Sequence, residues 1–275
     1  DVTATVDSIP LIAASIMSKK LASGSDKIVL DVTVGSGAFM KNAEDAIQLA
    51  QRMVEIGERA GRQTIAILTN MDVPLGVAVG NDIEVIEAIE TLQGNGPEDF
   101  EEICVEFASQ MLYLGKIADL QECRDMVYDA IETGKGIEKL AEMVKAQGGD
   151  ETYIDHPEKF EEAPYQKKLI ADQSAYISAM DTEKCGKTAV ILGAGRETKE
   201  SVIDPKAGIR FYFKTGEYVE KGEVLAELYA SDQEKLKDAV KYLKTAYQYS
   251  DAAVTPMEEI IGYVTRDYVQ QRIIE

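Results

Sequence analysis

A serine and a lysine near the start of the chain have the spacing of a small binding site. Ser15 and Lys19 lie four positions apart, and on a helix two residues at this spacing project from the same face. A hydroxyl donates or accepts hydrogen bonds and an ammonium adds positive charge. The pair could therefore hold a heterocycle that gains negative charge. The alternative is an ordinary solvated helix face, on which Lys20 would serve as well as Lys19.

A second group of residues has the chemistry of a cation site. Leu75, Ala78 and Glu87 flank a bend that contains Gly76 and the start of a predicted helix. Backbone carbonyls together with one carboxylate are suitable ligands for a hard cation. Carbonyl ligands leave no mark in a sequence, and a turn followed by a surface glutamate is the competing interpretation.

Two glycine patterns also bear on function. Gly35-Ser36-Gly37 follows a predicted strand and precedes a helix, which is the geometry of an anion site at a helix N-terminus. It lacks the further residues of a dinucleotide or P-loop motif, and a tight turn alone would also require glycine. Residues 214–225 (KTGEYVEKGEVL) resemble the turn-and-strand pattern of lipoyl- and biotinyl-type β-sandwiches. No exposed hairpin motif with a carrier lysine accompanies the pattern, so a structural use is favoured.

Composition and charge exclude several functional classes. The net charge is −20, which disfavours binding to nucleic acid. No apolar run approaches the roughly 18 residues of a membrane span, and no secretory leader is visible, so a cytoplasmic protein is expected. Cys104, Cys123 and Cys185 lack metal-ligand spacing, and His156 is the single histidine. Ser–His or Cys–His nucleophilic catalysis is therefore disfavoured.

The hydrophobic pattern predicts an α/β region followed by a β-rich region. A helix over 7–21, with Ser8 as its N-cap, precedes a strand over 28–34 that should be buried on both faces. A helix beginning after Asn42 and a strand over 64–69 complete a βαβ unit, which implies parallel pairing. The further predicted helices are 82–93, 97–114, 117–133, 137–146 and 232–247, and the further predicted strands are 168–171, 175–179, 188–192, 208–213 and 224–230.

Seven sequence segments, in this order, resemble the thymidine and pyrimidine-nucleoside phosphorylase family. The longest are DVTATVDSIPLIAASIMSK, LDVTVGSGAFMK and TNMDVPLG. The resemblance spans nearly the whole chain, and such long words are far more specific than a single glycine pattern. The segments lie at 1–19, 30–41, 69–76, 84–89, 94–99, 194–196 and 216–222.

The resemblance implies a helical domain, an α/β domain and a C-terminal β domain. The fold expected for this chain is α/β, with a partial α/β domain that has a parallel βαβ core and flanking helices. A small β-rich, barrel-sandwich-like C-terminal domain should follow. The expected divisions are 1–24 as a remnant of the helical, pyrimidine-binding domain, 25–150 as the partial α/β domain, 151–164 as a linker and 165–275 as the β-rich domain.

The resemblance also implies an activity and a set of site residues. The family catalyses the reversible phosphorolysis of pyrimidine nucleosides to the free base and a pentose 1-phosphate, with phosphate as co-substrate. Ser15 and Lys19 match positions that contact the pyrimidine, and Lys19 is the expected catalytic residue. Leu75, Ala78 and Glu87 match positions that hold a potassium-type monovalent cation. A pyrimidine nucleoside and phosphate are thus the expected ligands, with no nucleic-acid or membrane partner.

Several expectations concern the chain as a part of such an enzyme. The family's phosphate site and a base-contacting arginine would precede Asp1, so the chain is expected to be the C-terminal portion and inactive by itself. Thr33 occupies a position where lysine is common in the family. The family is generally homodimeric through its helical domain, so Ile9, Ile12 and Ile16 are expected to be exposed here.

The sequence is also compatible with two other functions. One is a non-catalytic scaffold or interaction fragment, which the start of the chain and the lipoyl-like pattern would suit. The other is an enzyme resembling anthranilate phosphoribosyltransferase, which shares the architecture but fits the β-rich C-terminal region less well. Neither the pattern nor the resemblance distinguishes uridine from thymidine as the substrate.

Overall fold

The computed structural model describes residues 8–271, so the predictions that involve Asp1 and Asp7 lie outside the described residues. The fold class is α/β with a sheet-rich C-terminal region, as predicted. The described chain forms two compact units, which consist of residues 8–71, 102–127 and 257–271, and of residues 72–101 and 128–256.

The first unit contains the βαβ element that the sequence predicts. The first two strands pair in parallel, from Lys27 opposite Gln63 to Val34 opposite Asn70. The connecting helix begins after Asn42, whose side chain accepts a hydrogen bond from the Asp45 N–H at 2.9 Å and so acts as the N-cap. The helices and strands of this unit are α1 (Ile9–Ala22), β1 (Lys27–Val34), α2 (Ala43–Arg59), β2 (Gln63–Asn70), β10 (Ile260–Val264) and β11 (Val269–Gln271).

Strand β1 differs from its prediction in one respect. Ile28, Leu30, Val32 and Val34 are buried, whereas the intervening residues are half-buried and Asp31 is exposed. The strand therefore buries one face, as the alternation of side chains in a strand allows, and burial on both faces was wrong. Strand β2 is the one that is buried along nearly its whole length, because it lies between β1 and β10.

The end of the described chain returns to the first sheet. Strand β10 pairs antiparallel with β2, and β11 pairs antiparallel with β10, so the strand order is β1-β2-β10-β11. The sequence instead predicts that these residues belong to the C-terminal β-rich domain over 165–275. The compact units therefore divide the chain differently from the predicted segments, since strand pairing joins positions that are distant in sequence.

The second unit contains two antiparallel sheets with helices packed on them. One sheet has the order β3-β6-β8-β4 and the other has the order β7-β5-β9. The core is made by buried residues such as Ile177, Ile209, Phe211, Leu228 and Leu243. The elements are β3 (Ala78–Gly80), α3 (Asp82–Leu92), α6 (Lys135–Ala146), α7 (Thr152–Asp155), β4 (Tyr165–Ile170), β5 (Ala175–Met180), α8 (Thr182–Leu192), β6 (Gly208–Phe211), β7 (Tyr218–Val219), β8 (Val224–Ala230), α9 (Gln233–Lys244) and β9 (Tyr247–Ser250).

Two further helices, α4 (Glu98–Leu114) and α5 (Leu120–Glu132), each contain residues of both units. The predicted helices over 97–114 and 117–133 correspond to them within three residues at each end. Within the described part of the chain, no helix combines the length and the hydrophobicity needed to cross a bilayer.

The predicted strand over 188–192 is wrong, because these residues form the second half of α8. The side chain of Asp181 caps the helix by accepting from the Lys184 N–H at 3.0 Å, and Gly193 ends it with a φ of +111°. Cys185, Ala189 and Leu192 are buried at helical spacing in the core of the second unit. This burial outweighs the β propensity of the β-branched side chains in the segment.

The predicted linker over 151–164 contains regular structure. It includes α7 and a 3-10 turn at Pro157–Lys159, and Ile154 is buried. His156 lies between these two elements and is exposed, with Nδ1 3.0 Å from Glu158 Oε1. The polar composition of the segment therefore reflects its position at the surface. Ile154 packs inward, and the rings of Tyr153 and Phe160 contact each other edge to face.

Close packing of α2 on β2 depends on Gly57, and we expect Gly57→Ala to destabilise the protein. A Cβ at this position would lie 3.0 Å from Thr64 Cβ and 3.3 Å from Met17 Cε, with Thr64 Oγ1 closer still. Overpacking of this kind costs about 1–3 kcal/mol, which exceeds the gain of up to about 1 kcal/mol from replacing a helical glycine with alanine. Urea denaturation should show a lower free energy of unfolding.

Gly186→Ala is the matched control, because Gly186 lies in α8 with no atom within 4 Å of an added Cβ. Helix propensity alone should apply there, and this variant should gain up to about 1 kcal/mol. A Gly57→Ala protein as stable as the wild type would show that α2 and β2 do not pack as described.

Candidate active-site residues and cation loop

Helix α1 presents Ser15 and Lys19 on its exposed side. Both residues are exposed, while Ala13 and Met17 on the opposite side are buried in the core of the first unit. The helix begins after Ser8, whose side chain makes no capping hydrogen bond. The structure thus places the two predicted binding residues together on one accessible helix face.

The Lys19 ammonium is available to a ligand. Among residues 8–271, no side chain makes an ion pair or hydrogen bond with Lys19 Nζ. Elsewhere on the surface lysines pair with neighbouring carboxylates, as Lys187 does with Glu183 at 2.6 Å. Lys19 also lies in the last turn of α1, where a positive charge stabilises the helix dipole. This structural contribution is shared by Lys20, which is exposed as well.

The apolar residues of α1 are more buried than the sequence predicted. Ile9, Ile12 and Ile16 were expected to be exposed, but they are partly buried and pack against the core of the first unit. The expectation was wrong because α2 and the sheet of the same unit cover this side of the helix. Leu11 remains half-exposed, with 50% of its surface accessible.

In the turn at Gly35-Ser36-Gly37, the two glycine N–H groups are not free to bind an anion. The Gly35 N–H donates to the Met40 carbonyl and the Gly37 N–H to the Met71 carbonyl, each at 3.0 Å. Gly35 has a φ of +132°, a conformation in which glycine is favoured. The glycines therefore serve the turn between β1 and α2, and the phosphate-binding interpretation of this motif is not supported.

Glu87 is the centre of the predicted cation group. It lies on α3, with 6% of its surface exposed, so it is not the surface glutamate of the competing interpretation. Its Oε1 accepts hydrogen bonds from the Val77 N–H at 2.8 Å and the Ala78 N–H at 2.9 Å. The carboxylate therefore holds the bend at 74–78, which we call the cation loop.

The remaining oxygens of the cation loop suit a cation. The Phe211 N–H donates to the Val77 carbonyl at 2.8 Å. Carbonyl directions alternate along a strand, so the Ala78 carbonyl points away from β6, as its N–H does. Within the described residues the Leu75 carbonyl accepts no hydrogen bond. Leu75, Ala78 and Glu87 thus offer two carbonyls and a carboxylate, which is a donor set for a hard cation.

Gly76 allows the loop to approach Glu87 closely. It has a φ of +67°, and a Cβ at this position would overlap Glu87 Oε2. In the described residues only Oε1 of Glu87 accepts hydrogen bonds. Oε2 is therefore the oxygen that remains for a cation beside the loop.

Burial raises the pKa of Glu87 above its ordinary value, although the hydrogen bonds from Val77 and Ala78 oppose this effect. The nearby carboxylate of Asp99 raises the pKa further, and Arg210 lowers it. A bound cation would favour the ionised form, because an opposite charge at short range lowers a carboxyl pKa.

Two residues at the cation loop were not among the predicted site residues. Lys214 Nζ donates to the Gly76 carbonyl at 3.0 Å and to the Pro74 carbonyl at 3.3 Å, and it forms an ion pair with Asp99. Asp99 Oδ2 also accepts from the Gly76 N–H at 3.1 Å. Asp99 lies in the family-like segment 94–99 and Lys214 in the lipoyl-like segment 214–225, but no local pattern indicates that the two residues are in contact.

The comparisons with known proteins cover both units. Residues 1–137 match the family described as "Glycosyl transferase family, a/b domain", and residues 176–250 match "Pyrimidine nucleoside phosphorylase C-terminal domain". Pyrimidine-nucleoside phosphorylases of Staphylococcus aureus strains bovine RF122 / ET3-1, USA300 and NCTC 8325 / PS 47 are 48% identical to this chain over 257 residues. The chain belongs to the pyrimidine-nucleoside phosphorylase family.

The match covers 93% of this chain and 59% of each of these curated relatives. The C-terminal match favours the pyrimidine-nucleoside phosphorylase family over an enzyme resembling anthranilate phosphoribosyltransferase, because the second alternative fits the β-rich C-terminal region less well. The lipoyl-like pattern at 214–225 lies within this phosphorylase match. Lys214, one of its two lysines, has 19% of its side chain exposed and is engaged at the cation loop, which supports a structural use of this residue.

The three cysteines of this phosphorylase-family chain lie outside the cation loop. Burial raises the pKa of the Cys185 thiol to about 12, so this cysteine stays protonated at neutral pH. Cys123 is buried and Cys104 is exposed. Within the described residues no group of three His, Cys, Asp or Glu side chains could hold a metal ion.

Proposed function

We propose that the protein catalyses the reversible phosphorolysis of pyrimidine nucleosides, giving the free base and a pentose 1-phosphate. The observation with the greatest weight is the 48% identity over 257 residues to enzymes named pyrimidine-nucleoside phosphorylase. The exposed Ser15–Lys19 pair on α1 supports the proposal, because its chemistry suits a leaving pyrimidine.

The proposed chemistry needs no nucleophile from the protein. An oxygen of phosphate attacks the anomeric carbon while the bond from that carbon to the pyrimidine nitrogen breaks. The anomeric carbon becomes oxocarbenium-like, as in other glycosyl transfers, and the base leaves with the electron pair of the broken bond. Lys19 would stabilise the negative charge that grows on the base, and Ser15 would hydrogen-bond to it. Such electrostatic stabilisation is usually the largest single contribution to catalysis.

The proposal includes a potassium-type monovalent cation at the cation loop. Leu75, Ala78 and Glu87 would hold the ion through two carbonyls and one carboxylate, and the donor set described above suits this. The ion would stabilise the conformation of the loop, since it neutralises the buried Glu87 carboxylate. A homodimer and a cytoplasmic location are also part of the proposal, on the resemblance alone.

A direct assay tests the function. The protein as its gene encodes it is incubated with phosphate and either uridine or thymidine, and the released base is measured by absorbance or chromatography. Release of uracil, thymine or both is expected, and the ratio of the two rates gives the preference. If no pyrimidine nucleoside yields free base in the presence of phosphate, the proposal is wrong. The same assay on the 275-residue chain tests the expectation that it is inactive by itself.

A further inference from the structure

The cation loop is held on two sides by different groups of the second unit. On one side Glu87 Oε1 accepts the N–H groups of Val77 and Ala78. On the other side the Lys214 ammonium donates hydrogen bonds to the carbonyls of Pro74 and Gly76. These contacts join α3, the loop and the turn after β6. Glu87 is 10 residues from Val77 in sequence, whereas Lys214 is 140 residues from Pro74.

Lys214 and Asp99 form a largely buried ion pair at the loop. Their side chains are 19% and 17% exposed, and both also bind the loop backbone, Lys214 through two carbonyls and Asp99 through the Gly76 N–H. An ion pair that is both shielded from water and hydrogen-bonded to backbone constrains geometry much more than an exposed pair does.

The hydrogen bonds of the Lys214 ammonium leave only some carbonyls of the loop free to bind another cation. Lys214 binds the carbonyls of Pro74 and Gly76, and within residues 8–271 the carbonyl of Leu75 between them receives no hydrogen bond. The Ala78 carbonyl is directed away from β6. The carbonyls assigned to the potassium-type ion are therefore the ones that Lys214 does not use.

We propose that Lys214 and Asp99 are positioning residues, which fix the cation loop in the conformation that binds a monovalent cation through Leu75, Ala78 and Glu87. This inference rests on the cation site of the proposed function. Asp99 has a second role, because its negative charge balances the Lys214 ammonium close to the ion. Without that balance the ammonium would repel the cation.

The test uses variants of the protein as its gene encodes it. The melting temperature is measured at increasing KCl, with choline chloride at equal ionic strength as the reference, and the potassium-specific rise gives an apparent affinity. The double variant Lys214→Met/Asp99→Asn removes both charges and the Lys214 contacts to the Pro74 and Gly76 carbonyls, while the net charge stays constant. The amide at position 99 can still accept from the Gly76 N–H. The matched control is Lys244→Met/Asp172→Asn, which removes an exposed ion pair of the same unit.

The double variant is expected to bind potassium about tenfold more weakly, and the control pair should bind it as the wild type does. Asp99→Asn alone should weaken binding more than the double variant, because it leaves an unbalanced ammonium at the loop. This single variant carries the test if the double variant does not fold.

Potassium affinity within twofold of the wild type in either variant would overturn the inference, as would the absence of a potassium-specific effect in the wild-type protein. An equal fall of the melting temperature in both salts, with the potassium increment intact, would also overturn it by showing a merely structural role. Base release by the wild-type protein decides the proposed function separately, so the two failures are distinguishable.

Discussion

Replacing Lys19 with methionine is expected to lower kcat/KM for phosphorolysis by about 1,000-fold. Removal of one preorganised donor that meets developing negative charge typically costs about 10²–10³ in rate, and Lys19 would contribute a full positive charge. Because the charge on the base develops at the transition state, kcat should fall at least as much as KM rises. Steady-state kinetics with uridine or thymidine and phosphate measure both constants.

Lys20→Met is the matched control for this prediction. Lys20 is the next residue of α1, is also exposed and also lies in the last turn, so both variants lose the same helix-dipole interaction. That interaction is worth about 0.3–1 kcal/mol, and the two melting temperatures should fall equally and slightly. Equal kinetic losses in the two variants would mean that Lys19 is only a surface charge.

Replacing Glu87 with glutamine is expected to weaken potassium binding by about 100-fold. The amide oxygen of glutamine can still accept from the Val77 and Ala78 N–H groups, so the loop keeps these two hydrogen bonds. What is lost is the negative charge, and a unit charge at ligand distance is worth several kcal/mol even at an effective dielectric of about 20. The potassium-specific rise in melting temperature, referenced to choline chloride, measures the affinity.

Glu87 is expected to make stability and potassium affinity depend on pH in opposite directions. The folded-state pKa of Glu87 lies above its ordinary value of 4.5. The folded protein therefore binds more protons than the unfolded chain between 4.5 and the folded-state pKa, and without potassium this group lowers stability as pH rises through that window. Potassium binding needs the carboxylate, so the affinity should increase with pH over the same window. Both dependences should disappear in Glu87→Gln.

Glu90→Gln, on the same helix and only partly buried, is the control for both measurements. It should leave the potassium affinity and its pH dependence unchanged. If Glu87→Gln binds potassium as tightly as this control, the ion is not held by the Glu87 carboxylate.

Local sequence patterns were sufficient for most of the helices and strands. The βαβ unit, the cap at Asn42 and the strand at Val224–Ala230 follow from periodicity and from side chains that bond to their own neighbours. Strands β10 and β11 were not predicted, and the segment at 188–192 was wrongly predicted as a strand. Its β-branched residues favour a strand, but the Asp181 cap and burial at helical spacing make it the end of α8.

The candidate site residues were likewise only partly predictable from local patterns. The spacing of Ser15 and Lys19 predicted a shared face because helix geometry relates residues four apart, and the structure places both on the exposed side of α1. Their role in binding pyrimidine stays a prediction. The glycine turn at 35–37 shows the limit of such patterns, because its N–H groups bond to Met40 and Met71, and Met71 lies far along the chain.

The sequence by itself determined the family, most of the helices and the residue types available for chemistry, because each of these depends on neighbouring positions or on long matching segments. The tertiary structure alone decided that Glu87 is buried at the loop, that β10 pairs with β2, and that Lys214 meets Asp99 across a separation of 115 residues. The physical reason is that burial and ion pairing depend on which distant segments pack together. Local propensities do not encode that packing.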